Sequence, residues 1–559
     1  MAEELRAKGN VAFTTGQFGE AIQHYSDGIK LAPEDYVLYC NRSLAYASLE
    51  KYEQALEDAK ETVKHEPDWW EGYRRLGKSY ESLGMHVSAI DAYQKGLERD
   101  PKNITLWINL GAAASNAGQF EVAIKYESDA INLAPENHVL YSNRSLAYLS
   151  LEKYEHALED GMKTVELKPD WWVGYRRMGD AYLGLEKYQE AIDAYKKGLE
   201  CDPKNIGLRK KLGIAASNAG QFEVAIKYES DAIKLSPENH ELYRNRSLSY
   251  FSFKKYEQAL EDAMKSVELK PDWWIGYCTM GEAYDELGKY QEAIDAYKKG
   301  LECDPKNIGL MRNIGVAASN AGQFEVAIKY ESDAINLAPE NHVLYSNRSF
   351  AYVSLEKYEH ALEDGMKTVD LKPDWWLGYS RMGVAYHGLG KYQEAIDAYK
   401  KSLDIQPGDH KLYFNLSLAY SSLQHYEQAL EYAKESVKLK PDWGEGYRRL
   451  GESYDGLGKH EEAIDVYRKG LECDPKNGGL KSKLVLSSAK ASTSKSGGRR
   501  KLIFSHVQGA FDVLKAFQRN FWGAPNQTNE RGLIYCSSRC TSKLSNARKI
   551  NFLSSESSE

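Results

Sequence analysis

The sequence predicts an all-α protein: a right-handed superhelical solenoid of about fourteen helix hairpins, followed by a tail of different character. Three observations carry this expectation. Prolines recur at a fixed step of 34 residues from Pro33 to Pro475 without a break. Within each step, apolar residues fall at helical spacing in two runs separated by a short turn. On a longer scale, the stretch PDWWEGYRRLG at Pro67 returns in variant form as PDWWVGYRRMG at Pro169, PDWWIGYCTMG at Pro271 and PDWWLGYSRMG at Pro373, each 102 residues after the last, and as PDWGEGYRRLG at Pro441. A fixed period of this size marks a stacked array, because one helix hairpin cannot cover its own apolar face and its neighbours must.

The third unit shows how each element arises. Tyr73 and Tyr80 lie two turns apart and define a first helix. Ile90, Tyr93 and Leu97 define a second. Between them, LGMHV supplies the turn, with Gly84 able to adopt a positive φ. Gly77 and Ala89 are small, so the two backbones can approach while the large residues fill the grooves beside them. Pro101 lies just past the second helix and stops it. The PDWW segment is then the junction that closes one hairpin and opens the next, and its Trp and Tyr residues are expected to pack there.

Hairpins come in groups of three. SNAGQFEVAIKYESDAI opens at Ser115, Ser217 and Ser319, and NRSLAY or a near variant follows at Asn41, Asn143, Asn245 and Asn347. The expected domains are blocks 2–103, 104–205, 206–307 and 308–409, then two further repeats over 410–477 where the pattern skips one unit after Lys401. A capping helix over 478–494 and a basic, Ser-rich, disordered tail over 495–559 complete the chain. From residue 478 there are fourteen Lys and Arg against four Asp and Glu, so the tail is basic and the array acidic.

Composition narrows the function classes. The net charge of −8 is mild and gives no general case for nucleic-acid binding. The N-terminus MAEELRAKGN has no apolar core of a secretory signal, and no run of about 18 apolar residues suggests a membrane span. Seven Cys, three of them inside a repeated LECDPKN, argue for a reducing compartment rather than a disulfide framework. No Gly-rich phosphate loop, metal-ligand cluster or nucleophile motif is present, so neither an enzyme nor a metal or other cofactor is expected. Cys536 and Cys540 in CSSRC lack the spacing of a zinc site, and GGRRK is a weak nuclear-import signal.

The 34-residue period and its residues resemble the tetratricopeptide-repeat family over about six-sevenths of the chain. The 102-residue block is similar to the three-repeat domains of the heat-shock 70/heat-shock 90 organising, stress-inducible co-chaperones, most of all the plant form. The stretches carrying this likeness are KGNVAF, LYCNRSLAYASLEKYEQALEDAKETVKHEPDWWEGYRRLG and AIDAYQKGLERDP. The resemblance implies a cytoplasmic adaptor, with the nucleus also open, that holds the Glu-Glu-Val-Asp C-terminus of heat-shock 90 or heat-shock 70 in a carboxylate clamp. It implies no membrane, small-molecule or nucleic-acid partner. The chain lacks the client-type segments of that family between blocks, so a tetratricopeptide scaffold for an unrelated peptide or helix is the alternative.

Mapped residue by residue, the first block offers Arg6, Asn10, Asn41 and Arg75 as peptide-binding donors, with Glu71 where the family has Lys. An acid at Glu71 is expected to repel the ligand, with Arg74 and Lys78 as nearby compensation. The later blocks are degenerate. The second has Ile108, Ala112, Asn143, Val173 and Arg177; the third Lys210, Ile214, Asn245, Ile275 and Thr279; the fourth Arg312, Val316, Asn347, Leu377 and Arg381. The Asn residues that persist have a second reading, as amides bonded to the adjacent helix. Val173, Ile275 and Leu377 either receive an apolar peptide or pack against their own neighbours.

Overall fold

The computed structural model describes residues 1–495, and among them all regular structure is α-helix. The tail expected to be disordered, with its GGRRK and CSSRC stretches, lies outside the described residues. The described chain divides into two units, residues 1–271 and 272–495.

The first unit holds eight hairpins. They are α1 (Ala2–Thr14) and α2 (Phe18–Leu31), α3 (Tyr36–Ser48) and α4 (Tyr52–His65), α5 (Trp70–Ser82) and α6 (His86–Arg99), α7 (Ile104–Asn116) and α8 (Phe120–Leu133). There follow α9 (His138–Ser150) and α10 (Tyr154–Leu167), α11 (Trp172–Gly184) and α12 (Tyr188–Cys201), α13 (Ile206–Asn218) and α14 (Phe222–Leu235), α15 (His240–Ser252) and α16 (Tyr256–Leu269).

The second unit holds six more and one further helix. They are α17 (Trp274–Glu286) and α18 (Tyr290–Cys303), α19 (Ile308–Asn320) and α20 (Phe324–Leu337), α21 (His342–Ser354) and α22 (Tyr358–Leu371). The last are α23 (Trp376–Gly388) and α24 (Tyr392–Ile405), α25 (His410–Ser422) and α26 (Tyr426–Leu439), α27 (Gly444–Gly456) and α28 (His460–Cys473), and then α29 (Gly478–Lys495). Every first helix has 13 residues and every second helix 14, as in α1 and α2 or α27 and α28.

Within each unit the packing follows from the small–large pattern. A Cβ on Gly77 would lie 2.3 Å from the Tyr93 ring, and one on Gly179 2.3 Å from the Tyr195 ring. Only glycine lets these buried tyrosines seat against the backbone of the paired helix. Core clusters run from one hairpin into the next. Ala89, Tyr93, Leu106 and Leu110 share one, and Val384, Tyr399, Leu412 and Leu416 another that spans the place of the skipped unit. Leu480 of α29 joins Ala463 and Tyr467 at the end of the second unit.

The junction segment does what its aromatics suggest. Trp69 meets Tyr36 edge-on at 5.0 Å, and Trp171 meets His138 at 4.8 Å. The following Trp70 and Trp172 pack into the cores of their own units. Gly84 turns at φ 71°, as expected; Glu152 and Glu356 take the same turn at 55° and 58° without glycine.

The NRS sequence has a structural use that the period alone does not reveal. Arg42 donates two bonds of 2.7 Å to the buried Asp58 carboxylate and a third, of 2.8 Å, to Ser26 Oγ. It thereby ties α2, α3 and α4 together. The same bridge recurs at Arg144–Asp160–Ser128, Arg246–Asp262–Ser230 and Arg348–Asp364–Ser332. Ser43 completes the motif by donating to Ala55 O at 2.7 Å.

Candidate functional site

The first-block residues lie on the first helices of three successive hairpins. Arg6 and Asn10 are one turn apart on α1, Asn41 is on α3, and Glu71 and Arg75 are one turn apart on α5. Asn41 donates its Nδ2 to Asn10 Oδ1 at 3.0 Å, and Tyr25 Oη donates to the same oxygen at 2.8 Å. Burial pushes the Tyr25 phenol up to about 12, so it stays a donor at neutral pH. Both bonds use the carbonyl oxygen of Asn10, which leaves its amide hydrogens out of this network. Arg6 sits 3.7 Å from both Glu3 and Asp35.

Glu71 finds compensation from Arg74, one of the two neighbours expected to supply it. Its carboxylate accepts two bonds of 2.6 Å from Arg74 and stands 3.0 Å from Arg75 Nε. The acid is therefore neutralised within α5 at i+3 and i+4, where the spacing puts all three on one face. Lys78 does not take part, since it pairs with Glu81 at 3.1 Å. Arg75, read as a ligand donor, is thus held by an internal carboxylate. Cys40 of α3 lies in the electrostatic range of this group, and burial raises its thiol to about 11, which makes it inert as a nucleophile.

The degenerate positions have diverse partners. Asn143 donates to Glu127 Oε1 at 3.1 Å, and Asn347 to Glu331 Oε1 at 3.1 Å. Asn245 is buried with its Nδ2 unpartnered. Lys210 bonds Glu241, and Arg312 reaches Asn313 Oδ1 at 3.4 Å. Arg381 lies 5.1 Å over the Phe350 ring. Leu377 is only 1% exposed, so it packs into its own unit and offers no surface to a peptide; Val173 and Ile275 are half-buried.

Glu127, Glu229 and Glu331 escaped the sequence reading. Each is 1% exposed and recurs at 102-residue spacing on α8, α14 and α20. Each Oε2 lacks a hydrogen-bond partner, and burial raises each carboxyl to about 8. The available signal was their place in the repeat: the first block has Tyr25 there, and other hairpins have Tyr93, Tyr195 or Tyr297.

Among the described residues, no group of three or more His, Cys, Asp or Glu is placed to hold a metal ion. No described helix is long and apolar enough to cross a membrane.

Models of the tetratricopeptide repeat match residues 40–104, 92–125, 172–205, 210–272, 274–307, 377–442 and 444–477. The chain belongs to the tetratricopeptide-repeat family. Among curated proteins, it is similar to Hsp70-Hsp90 organizing protein 1 of Glycine max, at 58% identity over 59 residues. It is also similar to Hsp70-Hsp90 organizing protein 3 of Arabidopsis thaliana, at 52% over 59 residues, and to the heat shock protein sti1 homolog of Schizosaccharomyces pombe, at 48% over 59. The soybean match covers 11% of this chain and 10% of the relative, and the others are of the same extent. Among solved structures, a chain of the APC/C hetero-tetramer Cut9-Hcn1 aligns at 15% identity and a TM-score of 0.42, covering 83% of this chain and 98% of that one. Yeast Tom70 aligns at 15% identity and 0.32, covering 91% and 99%.

Proposed function

We propose that this chain is a non-catalytic protein-interaction scaffold, a co-chaperone-like adaptor whose first block binds the C-terminal peptide of heat-shock 70 or heat-shock 90. The observation that carries the reading is the grouping of Arg6, Asn10, Asn41 and Arg75 on α1, α3 and α5, with Asn10 and Asn41 hydrogen-bonded to each other. An extended peptide end presents two adjacent carboxylates, and cationic and amide donors spread over three helices bind them by charge-assisted hydrogen bonds. The short, strong likeness to organising co-chaperones supports the choice of partner.

Glu71 acts in this reading as a built-in competitor. An incoming carboxylate has to share or replace it at Arg75, so the site binds weakly. The adaptor works in the cytoplasm, with nuclear entry open, in the setting of the stress response. It uses no cofactor or metal and takes no nucleic acid, membrane or small-molecule substrate. The capture of Arg74 and Arg75 by Glu71 favours one alternative: a scaffold for an unrelated peptide or helix, without chaperone binding. A pull-down from cell extract, with and without a competing Glu-Glu-Val-Asp peptide, separates the two. Heat-shock 70 or 90 displaced by the peptide supports the first reading. Partners that the peptide leaves in place, with neither chaperone among them, support the second.

A further inference from the structure

Adjacent arginine pairs occupy the same places on three first helices: Arg74–Arg75 on α5, Arg176–Arg177 on α11 and Arg448–Arg449 on α27. Two of the three pairs are neutralised by acids of their own helix. On α5, Glu71 serves both arginines. On α27, Glu445 takes Arg448 at 2.6 Å and Glu452 takes Arg449 at 2.6 Å. On α11 the place of Glu71 and Glu445 is held by Val173, which brings no charge. Asp180, the one acid of α11, acts on Arg177 from across one helical turn but is shared with other groups. It stands 3.3 Å from Lys211 and 3.7 Å from Arg176, and accepts a 2.7 Å bond from Tyr195 Oη. Arg177 is 9% exposed, and neither its Nε nor its Nη1 has a hydrogen-bond partner. Its burial lowers the guanidinium to about 10, so it remains charged at neutral pH.

The helices that follow add charge of the same sign. α13 carries Lys210 and Lys211 and no acidic residue; α15 carries Arg244, with Glu241 bonded to Lys210. All these cations stand at the helix places of Arg6 and Asn41, displaced by whole 34-residue steps, so they share the face that the first-block donors occupy. The Lys211–Asp180 and Lys210–Glu241 pairs join α11, α13 and α15 into one surface. Arg176, Arg177, Lys210, Lys211 and Arg244 bring five cations to this face. A buried guanidinium that shares its one helix carboxylate and has two nitrogens without a hydrogen bond is costly in the free protein and is repaid by an anion that reaches it.

We propose that the α11–α13–α15 face binds an extended acidic peptide, an internal run of Asp and Glu side chains, with one carboxylate seated on Arg177. Dimensions select this class. First helices of neighbouring hairpins lie about 10 Å apart, so the cations span roughly 20 Å, the length of about six extended residues. Recession selects a thin ligand. The side chains of Arg176, Lys211 and Lys210 are only 19%, 18% and 29% exposed, which a peptide strand can reach and a nucleic-acid duplex cannot. Val173 and Ile214 supply half-buried apolar surface between the charges. This site is separate from the first-block clamp. Counted from α11, the place of Asn10 is Asp180 and that of Glu71 is Glu241, so nothing here awaits a free chain terminus.

The test uses the full chain and a labelled, C-terminally amidated Asp-Glu-Asp-Glu-Asp-Glu peptide, read by fluorescence polarisation. The amide removes the terminal carboxylate, so failure here is distinct from failure of the first-block reading. The site predicts saturable binding that weakens with added salt. Arg177→Met should lower affinity at least tenfold while keeping helicity and melting temperature, because it removes a buried guanidinium that makes no hydrogen bond through Nε or Nη1. Lys210→Gln should weaken binding several-fold and serves if the first variant does not fold. Asn10→Ala, a change to the first-block clamp, should leave the affinity for this amidated peptide as it is in the parent. Absence of binding by the parent chain, unchanged affinity in both variants, or loss of binding in Asn10→Ala would each overturn the proposal. Tighter binding of a hexathymidylate strand would do the same and would assign the face to single-stranded nucleic acid.

Discussion

Replacing Glu127, Glu229 and Glu331 together by Gln should make the protein more stable at neutral pH and flatten the alkaline side of its stability curve. The three carboxyls are raised from 4.5 to about 8 by burial. A raised folded-state value means that the folded chain holds protons that the unfolded chain has released. Stability from each group is therefore full below pH 4.5 and is lost as pH rises toward 8. At 1.36 kcal/mol per pH unit, each site is about 3 kcal/mol less favourable at pH 7 than at pH 4.5. Gln keeps the shape and the oxygen that accepts from Asn143 or Asn347, and it does not titrate. The gain at pH 7 should be roughly 1–3 kcal/mol per site, with the lower end set by the amide hydrogens left unpartnered. Thermal unfolding followed by circular dichroism from pH 5 to 8.5 measures it, and hydrogen exchange in α8, α14 and α20 localises it. Parallel pH profiles for the parent and the triple variant would refute the reasoning. So would a parent chain that gains stability between pH 5 and 8 relative to the variant.

Three further substitutions probe the repeat itself. Gly179→Ala drives a methyl into the Tyr195 ring and should cost about 1–3 kcal/mol, seen as a lower melting temperature with early opening of α11 and α12. Arg144→Met leaves the buried Asp160 carboxylate without its bidentate partner and should cost about 3 kcal/mol; adding Asp160→Leu should recover most of it in denaturant titrations. Glu152→Gly relieves a left-handed turn and should stabilise by about 0.5–1 kcal/mol in the same assay.

Period and composition made the hairpins legible. Proline steps, small residues facing large ones and the Trp pair at each junction all constrain the backbone, and backbone repetition is what a 34-residue period encodes. Side-chain partnerships across helices were less legible. The NRS segment drew attention through its Asn, yet its Arg makes the strongest contacts, reaching an Asp 16 residues away that no local pattern marks. Glu71 has two candidate partners in the sequence, Arg74 and Lys78. Spacing permits pairs at i+3 and i+4 but does not choose between solvent and Arg74, and the side-chain conformation makes that choice. Nothing local marks the buried glutamates, since a lone Glu in an amphipathic helix is usually solvated. Only alignment with Tyr25 exposes them. Arg177 is the converse: at a degenerate clamp position, it is the one guanidinium among the described residues with two buried nitrogens that lack a hydrogen bond.

The proposal that the first block is a peptide clamp governed by Glu71 is tested most directly by calorimetric titration with a peptide ending in Glu-Glu-Val-Asp. The full chain and its Glu71→Lys variant are compared. The substitution releases Arg74 and Arg75 from their internal carboxylate and adds a cation where the ligand arrives. Together these changes should amount to roughly 1–3 kcal/mol, or about five- to a hundredfold tighter binding, reduced by salt. Arg75→Ala or Asn10→Ala in the Glu71→Lys background should abolish the gain, and an amidated peptide should not show it. No binding by the Glu71→Lys variant, or equal binding of the free and amidated peptides, would contradict the clamp and leave the scaffold without a chaperone partner.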